Sequence, residues 1–403
     1  MEKADLKKKR VIVLTPYYDP EPFPINSFVK DLNNSNEVES IKVITSLPNY
    51  RNYKFYKGYS LLGPYSSSVG KTSITRLMII PRYNNKSLSI LFFYLSFFIS
   101  ATLYLTVFSL FNRNKYDHII TFCGSPVYVG YLGTIFSKFL NVKSSLWVQD
   151  IWPEAIQTTI GLNSKPVIKI INFFQHRMWK FSDLLFAESK QLTNYLKEEF
   201  PHKKVKTLYN PIRDETINKY DSNNSKGDKL IFSYTGNIGG AQNLEVLLKA
   251  FAQLSQKKFE LNMCGDGPLL QEFKEQHNQP NIIWHGWLES KNLSKITAKS
   301  HFLVLSLHSL GRQSLIIPSK LQSYFQLKKP LFCISNGAAS DLIINSNSGV
   351  VCKNNNIDDI IKLFKSCSMQ NTADRSTMAN NAYKYYTENF KSNIIVNKFL
   401  KEI

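Results

Sequence analysis

Short runs rich in β-branched residues alternate with longer stretches of helical period along almost the whole chain, and the alternation runs through twice. Runs at 10–15 (RVIVLT), 41–45, 73–80, 118–122, 145–148 and 184–187 read as strands, with helical stretches near 26–34, 87–111, 126–140, 166–181 and 189–199. A polar tract at 211–228 interrupts the pattern, which then restarts with strands at 229–235, 258–264, 281–286, 301–306 and 330–335. Helices are expected at about 243–254, 268–276, 291–298 and 318–327. Continuous apolar strands separated by helices demand parallel sheets covered on both faces. The fold class that follows is α/β, with two Rossmann-like, doubly wound domains facing across a cleft. The expected boundaries are an N-terminal domain over 1–210, a linker over 211–228, a second domain over 229–390 and a C-terminal helix over 391–403.

One helical stretch stands apart. Residues 87–112 (SLSILFFYLSFFISATLYLTVFSLFN) carry no charge and are long enough to span a bilayer. A spanning helix, a buried core helix and a helix lying in a membrane interface all remain open. The spanning reading would place the strands at 73–80 and 118–122 on opposite sides of a membrane and sever their sheet. The chain begins KKKR-VIVLT over 7–15, whose apolar part is too short for a signal peptide.

Charge sharpens this. The net charge is +20, from 50 basic and 30 acidic residues. Between Glu39 and Asp117 there is no acidic residue, while ten basic ones, from Lys42 to Lys115, flank the apolar stretch. A polyanion is implied: nucleic acid, an anionic membrane face or phosphate-bearing ligands. No nucleic-acid recognition motif accompanies the charge, so nucleic acid is set aside. The five cysteines are scattered and form no C-x-x-C pair, against a disulfide scaffold or a zinc site and in keeping with a reduced, cytoplasmic compartment.

No G-x-G-x-x-G follows the first strand, and no Walker A loop, H-E-x-x-H or G-x-S-x-G occurs. Instead three strands of the second half end in turns at one sheet edge: TGNIGGAQN (235–243), CGDGP (264–268) and HGWLES (285–290). Gly236, Gly239 and Gly240 allow close backbone approach, and the helix opening near Asn243 offers free N–H groups to a phosphate. Each turn alone is explained by loop geometry; three in succession at the strands' carboxyl ends point to a ligand. Ser319 and Lys320 begin a further helix, where a cation and a helix dipole can both face a diphosphate. Lys320 alone would read as a solvated surface charge. In the first half, QDIWPE (149–154) sets Asp150 after a strand, with Glu154 following. Asp150 suits a group that takes a proton from an acceptor hydroxyl, or else the N-cap of a helix with Trp152 in the core.

Together these segments, with PYYDPEP (16–22), LPNYRNYKFYKGY (47–59) and PSKLQSYFQLKKP (318–330), resemble the family 4 retaining glycosyltransferases of GT-B fold. They are most similar to the bacterial L-fucosamine-type transferases of O-antigen and capsule assembly. The resemblance implies a UDP-sugar donor held by the C-terminal domain. Gly236, Asn237, Gly239 and Gln242 would lie toward the diphosphate, Gly265, Asp266, Gly267, Trp287 and Leu288 toward the base, and Ser319 and Lys320 at the phosphates. Asp150 and Glu154 are the candidate catalytic carboxylates, and Tyr17, Tyr18, Asn49 and Tyr50 the candidate acceptor-binding residues. No cofactor and no metal are implied, since Lys320 and helix dipoles offset the charge of the leaving UDP. The donor loop LIIPSKLQS (315–323) lacks the two glutamates many relatives carry, SNGAAS (335–340) has Ala338 where an acid is common, and EPFPIN (21–26) replaces a Gly-rich loop.

The expected activity is transfer of an N-acetylated or 6-deoxy amino sugar to a polyprenyl-diphosphate-linked saccharide, in surface-polysaccharide biosynthesis. The expected location is cytoplasmic, peripheral on the inner face of the plasma membrane, with an anionic membrane surface as partner. The competing readings are a UDP-sugar epimerase of the same fold and a nonenzymatic membrane- or polyanion-binding protein.

Overall fold

A computed structural model describes residues 7–50, 54–84, 87–160, 164–212, 229–308 and 311–403. The linker expected over 211–228 lies outside the described residues from 213 onward, as do Arg51 and Lys86 of the acid-free stretch. The chain forms two compact units, residues 1–213 with 391–403 and residues 214–390.

The first unit is built on β1 (Lys9–Leu14), β2 (Val38–Ser46), β3 (Ser66–Val69), β4 (Thr72–Leu77), β5 (His118–Cys123), β6 (Lys143–Val148), β7 (Leu184–Ala187) and β8 (Lys204–Thr207). They lie in the order β3-β4-β2-β1-β5-β6-β7-β8, all neighbours parallel except the β3–β4 pair. Its helices are α1 (Pro24–Asn34), α2 (Ser87–Asn112), α3 (Val129–Leu140), α4 (Glu154–Ile160), α5 (Lys165–Phe181) and α6 (Lys190–Glu199). The second unit has β9 (Leu230–Thr235), β10 (Phe259–Cys264), β11 (Ile282–Gly286), β12 (Phe302–Ser306), β13 (Leu331–Ile334) and β14 (Gly349–Cys352), in the order β11-β10-β9-β12-β13-β14. Between and after them come α7 (Leu244–Phe251), α8 (Leu270–Gln276), α9 (Ser290–Lys299), α10 (Ser319–Gln326), α11 (Ala338–Asn345), α12 (Ile357–Met369) and α13 (Thr372–Asn389). In each sheet the first strand lies inside and the order reverses beside it, between β1 and β5 and between β9 and β12. These are the switch points at which loops part and ligands bind.

The closing helix, α14 (Ser392–Leu400), returns to the first unit. Phe399 meets Phe28 edge-on and Phe186 at a tilt, with ring centroids 5.2 and 5.7 Å apart, and Glu402 pairs with Lys204 and Lys206 at 3.0 Å each.

The uncharged stretch is a single 26-residue helix, α2, and it is a crossover: β4 before it and β5 after it belong to one sheet. Phe93, Phe97, Ala101 and Leu105, spaced by four, form its wholly buried stripe against β4 and α3. Each of the larger three contributes about 1.5–3 kcal/mol on burial. The opposite face, including Leu91, Leu95, Ile99, Leu103 and Val107, is exposed. Its serines tie down the incoming chain. Ser89 Oγ accepts from the Tyr83 N–H at 3.0 Å, Ser96 Oγ accepts from the Ile80 N–H at 2.8 Å, and Ser100 Oγ donates to the Met78 carbonyl at 2.7 Å. Among the described residues this is the one helix long and apolar enough to cross a membrane, and 22% of its apolar window is buried.

Candidate functional site

In the second unit the three Gly-rich turns close onto one another at the carboxyl ends of β9, β10 and β11. Gly236 N–H donates to the Cys264 carbonyl at 2.9 Å, Gly265 N–H to Gly286 at 2.8 Å, and Ile238 N–H to Asp266 at 2.8 Å. The glycines at 265 and 267 have a packing cause that their sequence does not reveal. A Cβ on Gly265 would stand 1.8 Å from the Gly236 carbonyl oxygen, and one on Gly267 2.3 Å from that of Ile238, both at strongly positive φ. Backbone lies against backbone there, so their role is to hold the first loop in place. Asp266 assists by accepting the Gly267 N–H at 2.7 Å.

Gly236 is different: its missing side chain makes room for Lys320. A Cβ at 236 would sit 2.8 Å from Lys320 Cε and 3.0 Å from Nζ. Lys320 reaches this place from the first turn of α10, and its Nζ rests 3.7 Å from the centre of the Tyr234 ring. The ammonium is buried and has no hydrogen-bond partner. Burial with no counter-charge pulls its pKa down from 10.5 to about 7. A solvated surface lysine would show none of these features. Around it, the backbone N–H groups of Asn237 and Gly239 are absent from the loop's hydrogen bonds, and Ser319 stands exposed at the α10 N-terminus. Asn237 Nδ2 donates to Gln242 Oε1 at 3.1 Å, which folds the loop 236–242 on itself. Trp287, beyond edge strand β11, is 71% exposed and Leu288 beside it is half-buried. An exposed indole at the end of an edge strand offers a face on which a base can stack.

In the first unit, Asp150 follows β6 and is held by Ser125, whose Oγ donates to Asp150 Oδ2 at 2.7 Å and lies 3.2 Å from the Trp152 indole nitrogen. Burial raises the Asp150 pKa, and the Ser125 hydrogen bonds oppose the shift. Asp150 therefore does not cap α4. That helix opens at Glu154, whose side chain is half-buried in its first turn. The Trp152 peptide is bracketed by Gln175, with both hydrogen bonds 2.8 Å long.

Tyr17, Tyr18, Asn49 and Tyr50 come together at the carboxyl ends of β1 and β2, around a residue that pattern reading passed over. Glu21 Oε1 accepts the N–H groups of Asn49 at 2.8 Å and Tyr50 at 2.7 Å, while Oε2 is buried without a hydrogen bond. Burial lifts the Glu21 pKa to about 7 against these backbone donors. Tyr17 and Asn49 are themselves buried, and both amide atoms of Asn49 lack a hydrogen-bond partner. Tyr18 is buried too, its pKa pushed up to about 12 by desolvation. Arg82, one of ten basic residues in the acid-free stretch, was equally unmarked. It lies within 5.7 Å of the ring centres of Tyr17, Tyr50, Phe93 and Tyr94. The one signal available was position: like Asp150, it follows a strand's carboxyl end.

Residues 215–385 match the family model described as Glycosyl transferases group 1. The chain is 21% identical over 301 residues to chitobiosyldiphosphodolichol beta-mannosyltransferase of Debaryomyces hansenii, covering 65% of this chain and 59% of that protein's length. Solved structures also match along nearly their full length. Sucrose-phosphate synthase from Thermosynechococcus elongatus has a TM-score of 0.72 at 12% identity, over 98% of each chain. Anabaena HepE, solved in complex with UDP-glucose, has a TM-score of 0.62 at 12% identity, over 98% of this chain and 100% of that one. At such identities the likeness shows the fold, and the fold is GT-B, as the sequence led one to expect.

Proposed function

We propose that this chain, whose second unit carries a group 1 glycosyl transferase domain, moves an N-acetylated or 6-deoxy amino sugar from a UDP-sugar to a polyprenyl-diphosphate-linked saccharide. The transfer retains anomeric configuration, needs no metal, and serves surface-polysaccharide assembly of the O-antigen or capsule kind at the inner face of the plasma membrane. The observation that carries this reading is Lys320: a buried ammonium without a partner, at the carboxyl edge of a parallel sheet, beside a glycine that leaves it room. A diphosphate supplies the missing counter-charge. As UDP leaves, negative charge grows on the β-phosphate, and a fixed ammonium with helix N–H groups is worth more there than in water. Trp287 and Leu288 receive the uracil. In the first unit Asp150, oriented by Ser125, takes the proton of the acceptor hydroxyl, and the upward shift of its pKa by burial makes its carboxylate a stronger base. A lipid-linked acceptor agrees with two facts: the mannosyltransferase relative is named for a dolichol diphosphate acceptor, and the outward face of α2 is apolar. The helix would lie along the lipid surface, with the basic residues flanking it on anionic headgroups.

The test is thermal stabilisation of the purified protein by a panel of nucleotide sugars without divalent cations. A UDP-sugar at about 100 times its dissociation constant adds roughly 2.7 kcal/mol. Stabilisation by UDP-sugars that disappears in Lys320→Met supports the reading; no stabilisation by any nucleotide sugar overturns it.

A further inference from the structure

Arg82 is a buried cation that the fold leaves without a counter-ion. It sits in the segment between β4 and α2 and is 8% exposed. Its Nη2 donates to the hydroxyls of Tyr17 and Tyr94, its Nε–H is buried without a partner, and no carboxylate lies within ion-pair distance among the described residues. Arg76, also buried, likewise has an Nε–H without a partner and no carboxylate among the described residues, but its two Nη groups are taken by Ser67 Oγ at 2.8 Å and the Asp19 carbonyl at 3.2 Å. The rings around Arg82 attract the guanidinium but do not neutralise it, and burying an arginine without an anion is costly.

The neighbouring Glu21 feels the Arg82 charge but forms no ion pair with it, and burial lifts the Glu21 pKa to about 7, so it offsets the cation only in part near neutral pH. Tyr94 feels both Arg82 and Asp150 electrostatically, so the free cation and the candidate base share one neighbourhood. Five residues beyond Arg82, α2 begins, and its outward face (Leu88, Leu91, Leu95, Ile99, Leu103) is exposed and apolar.

We infer that Arg82 is the centre of a phosphate site on the first unit, one that reads the diphosphate of a prenyl-linked acceptor. The geometry on which this stands is the four-ring cage and the guanidinium held in it without an anion. The inference rests on the acceptor reading above and adds the group that recognises the acceptor's phosphates. Arg suits the task because its fork can give a phosphate two parallel hydrogen bonds while stacked among rings. A phospholipid headgroup offers the same phosphate chemistry, so the experiment separates the two sources.

The full-length protein is saturated with UDP, which occupies the donor phosphate site, and titrated with farnesyl diphosphate, farnesol and phosphatidylglycerol vesicles. Wild-type protein is expected to bind farnesyl diphosphate at least about tenfold more tightly than farnesol, and Arg82→Gln to lose that preference while still binding farnesol. Arg82→Lys, which keeps the charge but not the fork, is expected to fall between them. Vesicle binding should be the same for wild type and Arg82→Gln. Equal wild-type affinity for farnesyl diphosphate and farnesol, a measurement that needs no variant, overturns the inference. So does loss of vesicle binding with the farnesyl diphosphate preference intact. Stabilisation by UDP-sugars through Lys320 is read separately, so the phosphate site can fail while the transferase reading stands.

Discussion

Replacing the charge at position 320 tests the donor site quantitatively. Burial pulls the Lys320 pKa from an ordinary 10.5 down to about 7. At about 1.36 kcal/mol per pKa unit, holding the ammonium charged without a partner costs on the order of 5 kcal/mol. A bound diphosphate offsets that cost and returns the pKa toward or above 10.5. The bound pKa is then the higher one. Below pH 7 both forms are charged and affinity is flat; between pH 7 and 10.5 binding takes up a proton and affinity falls about tenfold per unit. From pH 7.5 to 9.5 a UDP-sugar should weaken about 100-fold, or about 2.7 kcal/mol. Calorimetry at pH 8.5 in buffers of different ionisation enthalpy should register about one proton taken up per donor bound. Lys320→Met should bind about 10- to 100-fold more weakly at pH 7.5 and show no pH slope from this group. The free protein gives the complementary sign. Its unfolded state binds the extra proton between pH 7 and 10.5, so this group's contribution to stability rises with pH across that window, and saturating donor removes the rise. Wild-type affinity that is unchanged from pH 7.5 to 9.5, with no proton uptake, would refute the assignment of Lys320 to the phosphates.

Asp150→Asn should lower kcat by about 10²- to 10⁴-fold in a transfer assay, with UDP-sugar affinity measured by calorimetry unaltered. Because burial raises the Asp150 pKa, the acid limb of the wild-type rate profile should lie above the usual carboxylate range and vanish in that variant. Trp287→Ala should weaken donor binding by about 1–3 kcal/mol while the melting midpoint stays put, since the indole is 71% exposed. Gly265→Ala should destabilise the second unit by about 1–3 kcal/mol or more in urea unfolding, because its Cβ would meet the Gly236 carbonyl oxygen at 1.8 Å. Leu103→Asp with Val107→Asp, both on the exposed face of α2, should abolish flotation with anionic vesicles and leave UDP-sugar binding intact.

Most of the sheet framework could be read from the sequence because buried parallel strands are continuous apolar runs. Of the elements that escaped, β14 (GVVC) and α12, with its buried Ile360, Phe364 and Cys367, do carry a readable pattern, while others have none. β3 is SSSV, exposed at a sheet edge, and β8 is KVKT, half of it lysine. α13 carries polar residues around most of its circumference and buries little beyond Ala379, Ala382 and Tyr386. α2 was legible as a helix but not in its sidedness, because its buried and exposed faces are equally apolar. The candidate donor site was legible wherever position carried the chemistry: a lysine at a helix start and glycines at strand ends. It was not legible that Gly265 and Gly267 serve backbone packing while Gly236 makes room for the lysine, since that depends on which loop touches which. Glu21 and Arg82 were hidden for a related reason. A buried charge differs from a surface charge only in what surrounds it, and those surroundings come from four separate segments: 17–23, 49–50, 82 and 93–94.

The central claim is sugar transfer to a lipid-linked diphosphate. Its direct test incubates purified protein with a radiolabelled UDP-sugar and a polyprenyl-diphosphate-linked saccharide in detergent or vesicles, with EDTA present, and separates the lipid products. The account predicts label on the lipid, UDP released in equal amount, and neither in Lys320→Met or Asp150→Asn. A labelled UDP-sugar that binds but is only isomerised, or that leaves the lipid unlabelled with every UDP-sugar that stabilises the protein, would contradict it.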